Sequence, residues 1–145
     1  MDIFVEKVIN LPDIKKCMNI RTVVFVEGQN VPIRDEIDGQ DSKCDHYLLK
    51  INNVAIGTAR IKYIDNIAKI GRVAILKNYQ KKGLGTKFMK KIITDIKIKK
   101  SIRSAKLSSQ TQAIEFYKKI GFSICSEEYI EAGIPHKDMQ MLLHD

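Results

Sequence analysis

What this sequence lacks already narrows its class. It contains no tryptophan, and no apolar run approaches the roughly 18 residues that a transmembrane helix requires, so we expect no membrane span. Its three cysteines, Cys17, Cys44 and Cys125, are odd in number and widely spaced, without a Cys-x-x-Cys pair or paired histidines. This pattern favours neither a disulfide framework nor a zinc site. We therefore expect no bound metal.

The first residues and the length of the chain indicate its cellular location and its number of domains. The first residues, Met1 to Glu6, include acids where a secretory signal needs a basic lead and an apolar block, so we expect a cytoplasmic protein. With 145 residues, the chain fits one domain over 1–145 that can bury a core without disulfides. An apolar fraction of 44% and a charged fraction of 29% are ordinary for a globular protein.

Hydrophobic periodicity predicts strands that alternate with helices. Strands are expected at 3–9, 46–51, 54–64, 67–76, 105–109, 124–130 and 139–143, and helices at 11–26, at 85–98 and through 113–120. A helical crossover between 67–76 and 105–109 requires those two strands to be parallel. Loops are expected at 27–42 and 131–136. The predicted fold class is α/β (α+β), with one mixed, mostly antiparallel sheet and helices on both faces.

One loop carries the strongest chemical signal. The run Gln80-Lys81-Lys82-Gly83-Leu84-Gly85-Thr86 joins a predicted strand to a predicted helix. Its two glycines can adopt backbone angles closed to other residues and leave the main chain open to a ligand. A helix start also offers unpaired N–H groups and a partial positive charge, which suit a phosphate group. The spacing matches neither a nucleotide P-loop nor the three-glycine dinucleotide fingerprint.

This loop, preceded by Arg72-Val73-Ala74-Ile75, resembles the coenzyme A pyrophosphate loop of the GNAT acetyltransferase superfamily. The segment from Leu107 to Phe122 resembles the second cofactor segment of that superfamily. Its typical form is a strand, then Asn-x-x-Ala-x-x-x-Tyr and a Gly-Phe exit. Gln110 stands where asparagine is usual, which puts in doubt a side-chain hydrogen bond to the pantetheine arm.

Two further blocks resemble the ElaA/YjcF-like branch of the superfamily. The run from Arg21 to Pro32 is similar to Arg-x-x-Val-Phe-x-x-Glu-Gln-x-Val-Pro, although Gly28 separates Glu27 from Gln29. The second block is Glu131-Ala132-Gly133-Ile134-Pro135-His136. Many members of this branch have no assigned substrate. The resemblance therefore indicates the acetyl donor better than the acceptor.

The resemblance implies a single-domain GNAT-like fold whose parallel strand pair splays apart to hold the thioester of acetyl-CoA. It implies an acetyl-CoA-dependent N-acetyltransferase that moves an acetyl group to a primary amine by direct attack, with acetyl-CoA as the co-substrate. The pantetheine arm would pair with the backbone of Val73 and Ile75. The implied cofactor-binding residues are Val73, Ala74, Ile75, Gln80, Lys81, Lys82, Gly83, Leu84, Gly85, Thr86 and Gln110.

The same resemblance implies roles in proton transfer. Tyr117 matches the tyrosine that usually protonates the departing thiolate, although a tyrosine on a helix face can also be a core residue. The stretch from Lys69 to Arg72 offers no glutamate as a base. Candidates for a base or an acceptor-site residue are His136, Glu27 and Glu131, followed by Glu36, Asp38 and His46. Arg21 is expected to pair with Glu27 or another loop acid.

Charge is unevenly distributed along the chain, which has a net charge of +8. Basic residues dominate Lys77 to Lys106, whereas 27–45 is acidic. A basic half suits the phosphates of coenzyme A, and an acidic loop suits a cationic amine.

Two other classes remain open. One is a CoA- or acyl-CoA-binding module without turnover, because the strand carboxylate is missing. The other is a nucleic-acid-binding protein that uses the Lys77–Lys106 surface, and it is disfavoured because Tyr79 and Phe88 are the only aromatic residues there. A homodimer is one possible assembly.

Overall fold

An eight-stranded sheet forms the centre of the fold, in a computed structural model that describes residues 2–144. The strands are β1 (Ile3–Val8), β2 (Asp45–Ile51), β3 (Val54–Ile64), β4 (Ile67–Ile75), β5 (Ser104–Gln110), β6 (Ser123–Ile124), β7 (Tyr129–Glu131) and β8 (Ile134–Leu142). They lie in the order β1-β2-β3-β4-β5-β8-β6, and β7 pairs with β8. Only β4 and β5 are parallel among the strand pairs of residues 2–144. The predicted mixed sheet is confirmed.

Helices cover both faces of the sheet, as predicted. They are α1 (Leu11–Arg21), α2 (Ile33–Glu36), α3 (Leu84–Ile98) and α4 (Ile114–Ile120), and a π-helical turn, Thr22–Glu27, continues α1. On one face, α1 buries Cys17 and Ile20 against Leu48 and Ala74. On the other face, α3 presents a stripe of buried side chains, namely Leu84, Phe88, Met89, Ile92, Ile93 and Ile96. None of the helices within residues 2–144 is long and apolar enough to cross a membrane.

The parallel strands β4 and β5 diverge halfway along β4. Their pairing runs from Ile67 opposite Ser104 to Ile70 opposite Leu107 and stops there, whereas β4 continues to Ile75. A bulge in β4 accompanies the divergence, since Arg72 takes a left-handed backbone angle of φ +51°. The sheet therefore opens at this point, and the predicted splayed pair is confirmed.

The last strands differ from the prediction. The expected loop at 131–136 is mostly strand, because β7 and β8 form a tight hairpin that turns at Ala132 and Gly133. Both turn residues have positive φ, +50° and +76°, as a two-residue type I′ turn requires. The prediction of one continuous strand over 124–130 is wrong, since this range holds only parts of two short strands, β6 and β7. Pro135 precedes the part of β8 that pairs with β5, so its missing N–H interrupts no bond to β5.

A buried ion pair ties α1 to the acidic loop. Arg21 and Glu36 are only 1% and 4% exposed, and two bonds of 2.9 Å join the guanidinium to the carboxylate. The second oxygen of Glu36 also accepts a 2.8 Å hydrogen bond from Arg72 Nε on the β4 bulge. The expectation that Arg21 pairs with a loop acid is confirmed, and the partner is Glu36 rather than Glu27.

Two more loop acids are held by the same set of arginines. Asp41 accepts hydrogen bonds from Arg21 Nη1 at 2.7 Å and from Arg60 Nη1 at 2.9 Å. Asp38 binds Arg60 and Arg72, and the hydrogen bond from Arg60 holds the pKa of Asp38 well below its usual range. These carboxylates are already neutralised. The expectation that the acidic loop attracts a cationic acceptor is therefore wrong for Glu36, Asp38 and Asp41.

The buried pair predicts a large loss of stability in one variant. Glu36→Gln keeps the shape of the side chain but leaves the Arg21 charge without its main partner, and breaking a buried ion pair costs about 3–5 kcal/mol. Urea denaturation should show this as a lower free energy of unfolding. The matched control is Glu115→Gln, which removes a surface pair with Lys118 and should leave stability unchanged. Equal effects of the two substitutions would contradict this account.

Candidate functional site

A groove of about 1070 Å³ lies where β4 and β5 diverge. Its walls come from the segment after α1, from β3, β4 and β5, from α4, and from the β7–β8 hairpin. Of the residues predicted from sequence, it is lined by Val73, Ala74, Ile75, Gln80, Gln110, Tyr117, Glu131 and His136, and by the arginine-bound Glu36 and Asp38. The structure thus brings residues from both predicted cofactor segments to one groove.

Two of the candidates for the base lie outside the groove. Glu27 is exposed on the π-helical turn and does not line the groove. His46 is buried in β2, where its Nε2–H donates a 2.9 Å hydrogen bond to the carbonyl of Asp41. Its Nδ1 is buried without a hydrogen-bond partner within residues 2–144. Neither side chain reaches the groove.

The glycine loop continues from the end of the groove at Gln80. The Gln80 amide donates a 2.7 Å hydrogen bond to the carbonyl of Ile75, which closes the turn after β4. Lys81 and Gly83 both have left-handed backbone angles, φ +60° and +77°. A Cβ on Gly83 would meet no atom within 4 Å, and no side chain caps the first turn of α3. The N–H groups of that turn are available to a ligand.

Gly85, the second glycine of the loop, has a role in packing. Gly85 does not have a positive φ, and a Cβ at this position would lie 3.1 Å from Cζ of Phe116. Gly85 therefore allows α3 to pack closely on α4. The expectation that both glycines supply special backbone angles is right for Gly83 and wrong for Gly85.

Tyr117 lies in the wall of the groove and is only 8% exposed. Its ring packs edge-on against Phe116 and Phe122, at centroid distances of 4.9 and 6.0 Å. Its hydroxyl has no hydrogen-bond partner within residues 2–144. Burial raises the pKa of Tyr117 above its ordinary value, so the phenol keeps its proton at neutral pH.

His136 lies on β8 at the same groove and is 8% exposed. Its Nδ1–H donates a 2.7 Å hydrogen bond to the carbonyl of Ile134. In the neutral ring this bond assigns the remaining lone pair to Nε2. A carboxylate oxygen of Glu131 lies 3.9 Å from that nitrogen. The pair offers a proton acceptor with a nearby negative charge.

Sequence reasoning missed a chain of hydrogen bonds beside His136. Ser108 bonds to the hydroxyl of Tyr129, which donates a 2.5 Å hydrogen bond to Asp138. The Tyr129 ring stacks on the His136 ring at 6.0 Å. Burial and the bond to Asp138 raise the pKa of Tyr129 to about 12. The only signal in the sequence is the alternation of polar residues along β5, which places Ser108 and Gln110 on one face.

The Gln110 side chain is already hydrogen-bonded to other side chains. Its amide nitrogen donates a 2.8 Å hydrogen bond to Gln29, in the segment after α1, and its amide oxygen accepts one from Gln112. This contact joins the end of β5 to the loop across the groove. No group of three or more histidine, cysteine, aspartate or glutamate side chains within residues 2–144 is placed to hold a metal ion.

Comparison with known proteins agrees with this architecture. The sequence model of the acetyltransferase (GNAT) domain matches residues 24–143. YjcF of Bacillus subtilis, named as an uncharacterized N-acetyltransferase, is 34% identical over 131 residues, which cover 90% of this chain and 93% of YjcF.

Solved structures show the same fold. The crystal structure of Escherichia coli ElaA has a TM-score of 0.86 and 27% identity, with 97% of this chain and 99% of that chain covered. A GNAT family acetyltransferase from Elizabethkingia anophelis, solved with acetyl-CoA bound, has a TM-score of 0.74 and 19% identity, with 97% of each chain covered. The expected ElaA/YjcF-like relatives are thus confirmed, and the chain belongs to the GNAT acetyltransferase family.

Proposed function

We propose that this protein is an acetyl-CoA-dependent N-acetyltransferase that moves an acetyl group to a primary amine by direct attack. The observation that carries the proposal is the divergence of β4 from β5 beyond Ile70, inside a groove that ends at the glycine loop. Membership in the GNAT family supports acetyl transfer. The acetyl-CoA bound to the Elizabethkingia anophelis structure supports the same donor.

The groove and the loop suit the two ends of acetyl-CoA. Beyond Ile70, the edge of β4 that faced β5 has no strand partner within residues 2–144, so backbone groups around Val73 are open to the amides of pantetheine. The uncapped start of α3 after Gly83 suits the pyrophosphate, because its N–H groups and its dipole favour an anion. Lys81 and Lys82 add positive charge beside it.

The donor site predicts different outcomes for two similar glycine substitutions. Gly83 and Gly39 have φ of +77° and +74°, and a Cβ added at either would meet no atom within 4 Å. Alanine at either position should therefore cost about 1–2 kcal/mol of backbone strain. Only Gly83→Ala should weaken CoA binding, by about tenfold or more in calorimetry, because it fills the approach to the first turn of α3. Equal CoA affinity in Gly83→Ala and Gly39→Ala would argue against the phosphate loop.

Acetyl transfer needs proton movements at the nitrogen and at the sulfur. The ammonium of the acceptor loses a proton, its nitrogen adds to the thioester carbonyl carbon, and the C–S bond breaks. The nitrogen loses its second proton as the amide forms, and coenzyme A departs as a thiolate that takes up a proton. A positioned side chain speeds each proton transfer by about 10²- to 10⁴-fold.

Two side chains of the groove suit these steps. Tyr117 is proposed as the acid, because its hydroxyl is protonated, borders the groove and makes no competing hydrogen bond within residues 2–144. His136 is proposed as the base, because its Nδ1–H is held by Ile134 and its Nε2 is free to accept a proton.

Tyr117→Phe should separate a catalytic tyrosine from a core tyrosine. The substitution removes only a hydroxyl without a partner, so the melting temperature and CoA affinity should change little. In a turnover assay with a working amine, kcat should fall by about two to four orders of magnitude, which is the usual contribution of a general acid. Tyr63→Phe is the control, because Tyr63 packs against the core but does not line the groove.

Other results would assign Tyr117 differently. Lower stability with unchanged turnover would make Tyr117 a core residue. Wild-type protein that binds CoA but acetylates none of a broad set of amines would favour the CoA-binding module.

His136→Asn tests the base through kcat/KM. The asparagine amide can replace Nδ1 as the donor to Ile134, but it offers no basic nitrogen. The variant should have a kcat/KM about 10²- to 10⁴-fold below that of the wild type, because no side chain then takes the ammonium proton. His46→Gln, outside the groove, should keep the wild-type kcat/KM, and a wild-type kcat/KM in His136→Asn would exclude this base.

A further inference from the structure

Lysines from three neighbouring strands form a row on the groove face of the sheet. Lys62 of β3 lies opposite Lys69 of β4, and Lys69 lies opposite Lys106 of β5. Register partners project from the same face, and neighbouring strands lie about 4.7–4.9 Å apart. The three stems therefore leave the sheet side by side. This set is called the lysine row below.

No acid neutralises the lysine row within residues 2–144. None of its three ammonium groups makes an ion pair there, and Lys62 donates only to the neutral amide of Gln40 at 2.7 Å. Arg60 lies one step further along the same face of β3, and it is paired with Asp38 and Asp41. Like charges placed opposite each other destabilise a sheet. An anion bound at the row would remove this repulsion.

The lysine row lies at the far end of the proposed acetyl-transfer groove. Lys62 and Lys69 line that groove. At about 3.3 Å per residue, Lys69 lies about 13 Å along β4 from Val73, where the strands have separated. Arg34 and Asp35 of α2 also line the groove, and their opposite charges offset each other. The excess charge at this end is therefore positive.

We infer that the lysine row binds an anionic group of the acceptor. The acceptor is then a primary amine that carries a carboxylate or a phosphate roughly 13 Å from its nitrogen, as the strand spacing above sets it. The amine lies near His136 and the exposed carboxylate of Glu131, and the anion lies on the lysine row. This inference rests on the proposed acetyl transfer and names the class of its acceptor.

Glycine-based peptides of five residues test the spacing, because an extended chain covers about 3.3–3.6 Å per residue. Their N-terminal amine is the acceptor, their C-terminus is amidated so that it adds no charge, and the fifth residue is glutamate, phosphoserine, glutamine or lysine. We expect kcat/KM with acetyl-CoA to be at least tenfold higher for a peptide with an anion than for the glutamine peptide. Comparison of glutamate with phosphoserine distinguishes a carboxylate from a phosphate. The preference should shrink as ionic strength rises.

Lys69→Glu should abolish the preference for an anionic peptide, because the new carboxylate pairs with the two remaining lysines of the row, and it should leave CoA affinity unchanged. The new carboxylate can pair with Lys62 and Lys106, so the variant should fold. Lys15→Glu is the matched control, because Lys15 is exposed on α1 and lies outside the groove. It should keep the wild-type preference.

A binding experiment tests the lysine row separately from acetyl transfer itself. N-acetylated peptides are titrated into the protein with CoA present, which needs no turnover. Tighter binding of the glutamate or phosphoserine product than of the glutamine product, lost in Lys69→Glu, supports the lysine row even if no peptide is acetylated. Turnover with equal rates and equal product affinities overturns the lysine row and leaves acetyl transfer standing. Absence of both turnover and selective binding overturns both.

Discussion

The carboxylate of Glu36 lies between two guanidinium groups, one from the end of α1 and one from the bulge of β4. A buried charge without a partner is costly, so α1, the loop and β4 must keep their positions together. The bulge residue, Arg72, holds a left-handed angle at the point where β4 leaves β5. The opening of the groove therefore depends on an ion pair that borders it and belongs to the framework.

The ion pairs of the acidic loop determine which charges of this chain remain available to a ligand. A count along the sequence suggests an acidic half for a cationic acceptor and a basic half for coenzyme A. In the folded protein, the acids of the loop form ion pairs with Arg21, Arg60 and Arg72, and these pairs hold the loop on the sheet. Lys62 and Lys69 lie beside each other in the strand register, and neither makes an ion pair with an acid of residues 2–144. Net charge in a segment is thus a poor guide to the charge that a ligand meets.

The sequence predicts local units well and pairings between distant residues poorly. The strand, loop and helix from 67 to 98 were predictable because apolar periodicity and turn residues lie within one continuous stretch. The β7–β8 hairpin was not, because Ala132 is an unusual residue for a positive φ and Pro135 is typical of loops. The partner of Glu36 and the bond from Tyr129 to Asp138 depend on tertiary packing, which no local pattern encodes. The roles of Tyr117 and His136 stay predictions.

The contact between Gly85 and Phe116 has a consequence for mutagenesis of the loop. Phe116 directly precedes Tyr117, so any side chain added at position 85 pushes on the helical turn that carries the tyrosine. A mutational scan of the loop would find position 85 as intolerant as a residue that touches phosphate. The damage, however, would spread through α4 toward the tyrosine hydroxyl. In such a scan, a smaller residue in place of Phe116 should restore tolerance at position 85, because it would make room for the added Cβ.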